Sequence, residues 1–271
     1  MLVVQRRPAL LLALMLALAV TGCLSRVERL FFGVKPGVRL AGRDMGGMLL
    51  PEVRKAVRAL SEATRQEAVN ADVVPGKGDV VPEAPGRELD VPYTVALIMA
   101  AATDAKVEPV YNRIDPAVTA GDIALLKHTV SAFVTFAYGS AYRLGNIRIA
   151  ASSIDHSLLL PGEVFSFNER VGPRTHSRGF RPAPVIGGIG YGGGVCQLST
   201  TIYNTALAAG LTILERHPHS RPVPYVPIGR DATVSYPDVD MRFVNSSDGP
   251  LLLRARLDEG RVVVKLIGRL P

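Results

Sequence analysis

The C-terminal end of the chain constrains the fold most. Leu251–Leu257 (LLLRARL) and Arg261–Ile267 (RVVVKLI) read as strands around Asp258-Glu259-Gly260, an arrangement that predicts an antiparallel hairpin. Short strand signals precede it at Val164–Phe167, Pro184–Ile186, Val223–Val226, Ala232–Ser235 and Asp240–Asn245. Leu125–Tyr138 alternates, with Val130, Ala132, Val134 and Phe136 on one face, and favours a strand or a bent pair of strands. Two helices interrupt this pattern. One is expected over Asn146–His156, capped by Asn146. The other covers Gln197–Ala209, with Leu198, Ile202, Thr205, Ala206 and Ala209 sharing a face and Gly210 placed to end it. The class is α+β: a C-terminal domain with a mainly antiparallel sheet and a central helix starting at Cys196.

Composition agrees. The 271 residues include 26 Gly, 20 Pro and no Trp, which suits a fold with many turns and argues against a helical bundle. Hydrophobic residues at 48% and charged residues at 20% indicate a globular chain. Two Cys exclude a disulfide-dense scaffold and a Cys-rich zinc module. The first half predicts a smaller α+β domain. Turns flank Val38–Leu40. An amphipathic helix over Pro51–Glu67 carries Val53, Ala56, Val57, Leu60 and Ala63. Asn70–Glu88 reads as a loop or weak hairpin, Val91–Lys106 as a helix, and Pro109–Asp122 as a linker. The expected organisation is a leader at 1–22, a tether at 23–35, a small domain at 36–120 and a larger one at 121–271.

The leader has a defined pattern. Arg6 and Arg7 precede the apolar run Ala9–Val20, which is short for a membrane-spanning helix and has the length of a secretory core. It ends in Val20-Thr21-Gly22-Cys23, which resembles a bacterial lipobox, so Cys23 is the expected lipidation site. The expected location is outside the cytoplasm, anchored to the membrane as a bacterial lipoprotein. Removing residues 1–22 lowers the net charge from +7 to +5. The mildly basic remainder has no dense Lys/Arg block with interleaved aromatics, and nucleic acid is not an expected partner. With Cys23 lipidated, Cys196 would have no intramolecular disulfide partner.

The chemistry concentrates in Gly192-Gly193-Gly194-Val195-Cys196-Gln197-Leu198-Ser199-Thr200. Glycines let another molecule approach the backbone. A cysteine at a helix N-terminus is biased toward the nucleophilic thiolate. His217, His219, Asp231, Asp238 and Asp240 follow. The order Cys, His, Asp suits nucleophile, base and orienting acid in cysteine acyl transfer, with Cys196, His219 (or His217) and Asp231 in those roles. Backbone N–H groups near Cys196 and Gln197 are the expected oxyanion donors. Gly193, Gly194, Gln197, Thr200 and His217 are expected to line the binding site. The competing reading makes Cys196 a packed core residue and the Gly-rich loop a site for a glycan or peptide. Zinc held by Cys196, His217 and His219 lacks a standard spacing, so no metal or cofactor is expected. Gly188-Ile189-Gly190-Tyr191-Gly192-Gly193 fits a dinucleotide fingerprint, with Glu215 downstream, but no run of alternating strands and helices supports it. Arg170, Arg174 and Arg178 are read as a solvated loop in preference to an anion site. Phe165, Phe167, Phe180 and Tyr203 are read as core or cleft wall.

These residues resemble the VanW family. The matching stretches are Arg143-Leu144-Gly145-Asn146-Ile147, Pro161–Asn168, Gly193–Asn204, Glu215–Ser220 and Gly229–Thr233. The resemblance covers roughly residues 125–245 and implies a cell-envelope context without a particular reaction. Residues 34–110 look like a shortened form of the peptidoglycan-binding domain that often precedes VanW domains. Their evidence is Val34-x-Pro36-Gly37-Val38-x-Leu40-x-Gly42 and Gly47-Met48. Taken with the lipobox pattern and the reading of Cys196, this gives the expectation of an envelope lipoprotein acting at or binding peptidoglycan or its precursors, with non-catalytic binding slightly favoured. The alternative is a cysteine-dependent amidase or acyl transferase on wall peptides.

Overall fold

The computed structural model of the protein describes residues 26–269. The expected leader and Cys23 lie outside these residues. Among the described residues, no helix is long and apolar enough to cross a membrane. The chain divides into two compact units. One runs to Val69 and includes Ala84–Pro116; the other comprises Asn70–Glu83 and the chain from Ala117. Asn70–Glu83 joins the second unit because Asn70 Oδ1 accepts the Ala117 and Val118 N–H groups and Glu83 accepts that of Ala120.

In the first unit the chain around the expected tether is helical over residues 26–32. The helix Leu50–Thr64 buries Val53, Ala56 and Val57, and Glu52 reaches back to the Leu49 N–H. Asp90 caps the helix Val91–Ala100, which ends earlier than its apolar run suggests. The expected linker is more ordered than its Pro and Asp content implies. Its Tyr111–Ile114 pairs antiparallel with Gly86–Leu89.

The second unit is antiparallel in all its named strand pairs. Besides the short pair Asp72–Val73 and Val80–Val81 and the short helices Ala120–Ala124, Phe167–Val171 and His176–Arg178, its elements are β1 (His128–Phe136), α1 (Ala141–Ile154), β2 (Ser157–Leu159), β3 (Val164–Ser166), β4 (Pro182–Val185), β5 (Gly188–Tyr191), α2 (Val195–Ala208), β6 (Thr212–Glu215), β7 (Arg242–Val244), β8 (Leu251–Asp258) and β9 (Arg261–Gly268). The main sheet has the order β1-β9-β8-β2, and a second sheet has β3-β7-β6. The predicted β8–β9 hairpin turns at Glu259 and Gly260, both with positive φ, as a tight two-residue turn demands. Helices α1 and α2 pack on the main sheet. Ile147, Ile154, Leu198, Ile202, Leu253, Val262, Val264 and Leu266 are fully buried between these layers. Burying each such side chain contributes about 1.5–3 kcal/mol.

Several expectations change here. Val130, Val134 and Phe136 point outward, whereas Ser131 and Thr135 face α2. The apolar face predicted for β1 is therefore its solvent face. Its buried polar groups are satisfied by Thr205 O and Thr201 Oγ1. Asn146 does not cap α1. Ser140 does, accepting from Arg143 N, and Asn146 sits buried within the helix. Val223–Val226 is not a strand, because Pro222, Pro224 and Pro227 lack the N–H groups a ladder needs. Ala232–Ser235 forms only single bridges, His217 to Thr233 and Ser235 to Val239. Its backbone is held by helix side chains instead. Ser199 donates to Ala232 O at 2.6 Å, Thr200 accepts from Ala232 N at 2.9 Å, and Asn204 donates to Arg230 O at 2.7 Å. Helix α2 thus buries Gln197, Ser199, Thr200, Thr201, Asn204 and Thr205 as well as its apolar residues.

Candidate active site

The strapping of residues 230–234 to α2 places Asp231, Thr233 and Val234 beside the start of that helix. Gly194 occupies the N-cap with φ of 102°, and α2 begins at Val195, one residue before Cys196. The Val195 and Gln197 N–H groups bond to Gly192 O and Gly194 O. Cys196 N–H has no backbone acceptor among the described residues. The oxyanion donor expected at Gln197 is therefore already occupied, and the Cys196 N–H is the one that remains.

Cys196 Sγ lies 3.5 Å from Thr233 Oγ1 and 3.4 Å from Val234 O. Burial pushes its thiol up. The His219 imidazole, the Thr233 hydroxyl and the Val234 backbone outweigh burial, and the net direction is below the ordinary thiol value. His219 Nδ1 lies 2.7 Å from Asp231 Oδ2, which also accepts the His219 N–H at 2.6 Å. This leaves Nε2 as the imidazole nitrogen available to the thiol. Burial pulls the imidazole down, but Cys196 and Asp231 raise it above its usual value. Asp231 is pushed up by burial and held lower overall by its His219 contacts. Arg216 completes the support, donating to Asp231 O at 2.6 Å and to Oδ1 at 2.9 Å. Cys196, His219 and Asp231 are thus brought together, with the thiol and the carboxyl held below their ordinary values and the imidazole above its own.

The remaining expected site residues divide. Gln197 lines the cleft, but its side chain is spent. It accepts from Arg143 at 2.9 Å and donates to Thr135 Oγ1 and Phe136 O. Thr200 is fully buried and holds Ala232, so it presents nothing to a ligand. His217 turns to Glu215, with Nε2 at 2.9 Å from its carboxylate, and is absent from the cleft wall. Gly193 is packed where a Cβ would lie 2.7 Å from the Ala183 and Pro184 carbonyls. A Cβ on Gly192 or Gly194 would lie 2.9 Å from the Arg174 or Arg143 side chain, respectively. These glycines admit the protein's own groups. Part of the expected glycine loop is strand: β4 and β5 form a hairpin over the cleft rim. Asp240 is buried and makes no hydrogen bond to the triad, accepting instead from Ser166, Asn168 and Met241.

The cleft around Cys196 has a volume of about 990 Å³. Sequence reasoning missed Tyr225, whose ring meets His219 edge-on at 6.5 Å, and Thr233. It also underrated Arg174, which lines the cleft with Arg143. The signal for Thr233 was its place two residues after Asp231; the proline-rich loop around Tyr225 offered none. Among the described residues, no group of three or more His, Cys, Asp or Glu side chains is placed to hold a metal ion.

Comparison with known proteins places this site in a family. The family described as VanW like protein matches residues 142–267, the segment that carries the whole cleft. The chain is 37% identical over 224 residues to the uncharacterized protein YoaR of Bacillus subtilis, covering 78% of this chain and 73% of that one. It is 25% identical over 151 residues to the vancomycin B-type resistance protein VanW of Enterococcus faecalis, covering 52% and 54%. No solved structure matches the chain. The match across the cleft and the close similarity to a relative along most of both chains establish that the chain belongs to the VanW-like family.

Proposed function

We propose that the protein is a cysteine-dependent amide hydrolase or acyl transferase acting on a peptide of the cell wall or its precursors. The sequence alone leans toward a non-catalytic binding role. The observation that moves the reading toward chemistry is the His219–Asp231 pair at 2.7 Å, set against a thiol on a helix N-terminus in an open cleft. The wall context is supported by the leader pattern with its lipidation cysteine, Cys23, and by the resistance-associated name of one relative. In this reading the chain is exported and held at the membrane through that lipid.

The mechanism follows from the proton positions. Asp231 holds Nδ1–H, so Nε2 takes the Cys196 proton. The thiolate attacks the amide carbonyl, and the Cys196 N–H stabilises the oxyanion. The intermediate collapses to a thioester as the amine leaves with the proton from His219. Water or a second amine then attacks the thioester, giving an acid or a new amide and returning the proton to sulfur.

The test is the iodoacetamide alkylation rate of Cys196 against pH, read by the mass of the peptide that carries it. An inflection well below the unperturbed value of about 8.5 is expected. A thiol that reacts only on unfolding would end the nucleophile reading and return the cleft to a binding role.

A further inference from the structure

We infer that the cleft selects substrates carrying a free carboxylate close to the scissile amide, bound by Arg143 and Arg174. This rests on the catalytic reading and specifies its substrate class. In the C-terminal unit, six arginines are half-buried: Arg143, Arg170, Arg174, Arg216, Arg242 and Arg254. Four of them lie within ion-pair distance of a carboxylate, namely Glu163, Asp231, Glu215 and Asp155, respectively. Arg143 and Arg174 have no such partner among the described residues, and both line the cleft that contains Cys196. A half-buried cation without a counter-ion carries a desolvation cost that an anionic ligand would remove.

Both guanidinium groups are oriented by neutral acceptors. Arg143 donates to Tyr138 O and Gln197 Oε1. Arg174 donates to Gly172 O and Asn168 Oδ1 and stacks near the Phe167 and Tyr236 rings, at 5.4 and 5.8 Å. Their Nε–H groups and remaining N–H donors are not used in these bonds. The groups facing Arg174 also include the Cys196 thiol, Asp240, Arg178 and Tyr236, and the Cys196 thiol faces Arg143 as well. Among the described residues these arginines therefore have no carboxylate partner within ion-pair distance other than one a ligand would bring. Asp240 is committed to Ser166, Asn168 and Met241. Burial holds the Arg174 value down to about 10 and lowers that of Arg143. The loop between β5 and α2 is built around them, since Gly192 and Gly194 leave the space these two side chains occupy. A peptide carboxylate held there would sit in the same cleft as the thiol. Its source is either a chain terminus or an acidic side chain.

The test uses the full chain and two alkylating agents of similar size, anionic iodoacetate and neutral iodoacetamide, followed at the Cys196 peptide. The ratio of the two rates cancels changes in thiolate population. We expect the folded chain to favour iodoacetate about tenfold or more over the same ratio measured on the unfolded chain. Arg143→Gln and Arg174→Gln should each cut that preference several-fold. Arg148→Gln, which removes an exposed charge from the same helix as Arg143, should not. Protection of wild-type Cys196 from iodoacetamide gives a readout free of variants. A short peptide with a free C-terminus should protect, and its amidated form should not. Protection by an amidated peptide bearing a glutamate would assign the side-chain source. A folded ratio equal to the unfolded one, or equal protection by wholly neutral peptides, overturns the inference. The pH inflection with iodoacetamide is independent of this ratio, so failure of the nucleophile reading is separately visible.

Discussion

Asp231 Oδ2 accepts two hydrogen bonds from one residue, the backbone N–H of His219 at 2.6 Å and its ring Nδ1 at 2.7 Å. This double contact fixes both the position of the ring and which nitrogen carries the proton. Asp231→Asn would keep the shape but lose the preference for Nδ1–H. Turnover should fall by roughly 10²–10⁴-fold, as expected when a base loses its orienting acid. The measurement is kcat and KM on a substrate found by screening wall peptides; an unchanged kcat would remove Asp231 from the mechanism.

The same pair predicts how stability depends on pH. Asp231 is lowered in the folded state, so its contribution is present above the ordinary carboxylate value and is lost as pH falls through the lower folded value. His219 is raised, so its contribution is complete below the ordinary imidazole value and is lost as pH rises through the raised folded value. Urea midpoints across this range should show a maximum between the two losses. Asp231→Asn should flatten the acid side.

His217 is a control placed by the structure. Its ring pairs with Glu215 and does not line the cleft. His217→Gln should leave the Cys196 alkylation rate and its pH inflection within about twofold, whereas His219→Gln should move the inflection toward the free-thiol value. A large shift from His217→Gln would make it the base instead.

Gly194 should tolerate no side chain. Its φ of 102° is unfavourable for any other residue, and a Cβ would meet Arg143 Cγ at 2.9 Å and Ile147 Cγ1 at 3.0 Å. Gly194→Ala should cost about 1–3 kcal/mol from the backbone alone, read as a lower urea midpoint at unchanged slope.

Asn146 ties three parts of the site together. Its amide donates to Arg181 O and Gly193 O and accepts the Arg181 N–H. Asn146→Ala would strand buried backbone groups at about 1–3 kcal/mol each. It should destabilise the protein and also slow Cys196 alkylation, because the Gly193 loop leads directly into α2. Loss of stability with wild-type thiol reactivity would separate the two roles.

The β8–β9 hairpin, the helix after Gly194 and the α+β class are legible because they rest on local periodicity and turn chemistry, as Glu259 and Gly260 illustrate. The faces of β1 are not. Alternation shows that Val130 and Ser131 point oppositely, but not that the polar side meets α2. Asn146 shows the same limit, since a residue type common at caps was taken up by backbone groups 35 and 47 positions away.

The order Cys196, His219, Asp231 and the chemistry of their side chains belong to the sequence by itself. So does the positive φ that Gly194 and Gly210 permit. Only the tertiary structure decides that His219 rather than His217 meets Asp231, that Thr200 holds a loop instead of a ligand, and that Arg143 and Arg174 share one cleft without carboxylates. The physical reason is range. Periodicity and backbone propensity act over a few residues, whereas hydrogen-bond pairing, burial and charge compensation depend on which distant segments the core brings into contact.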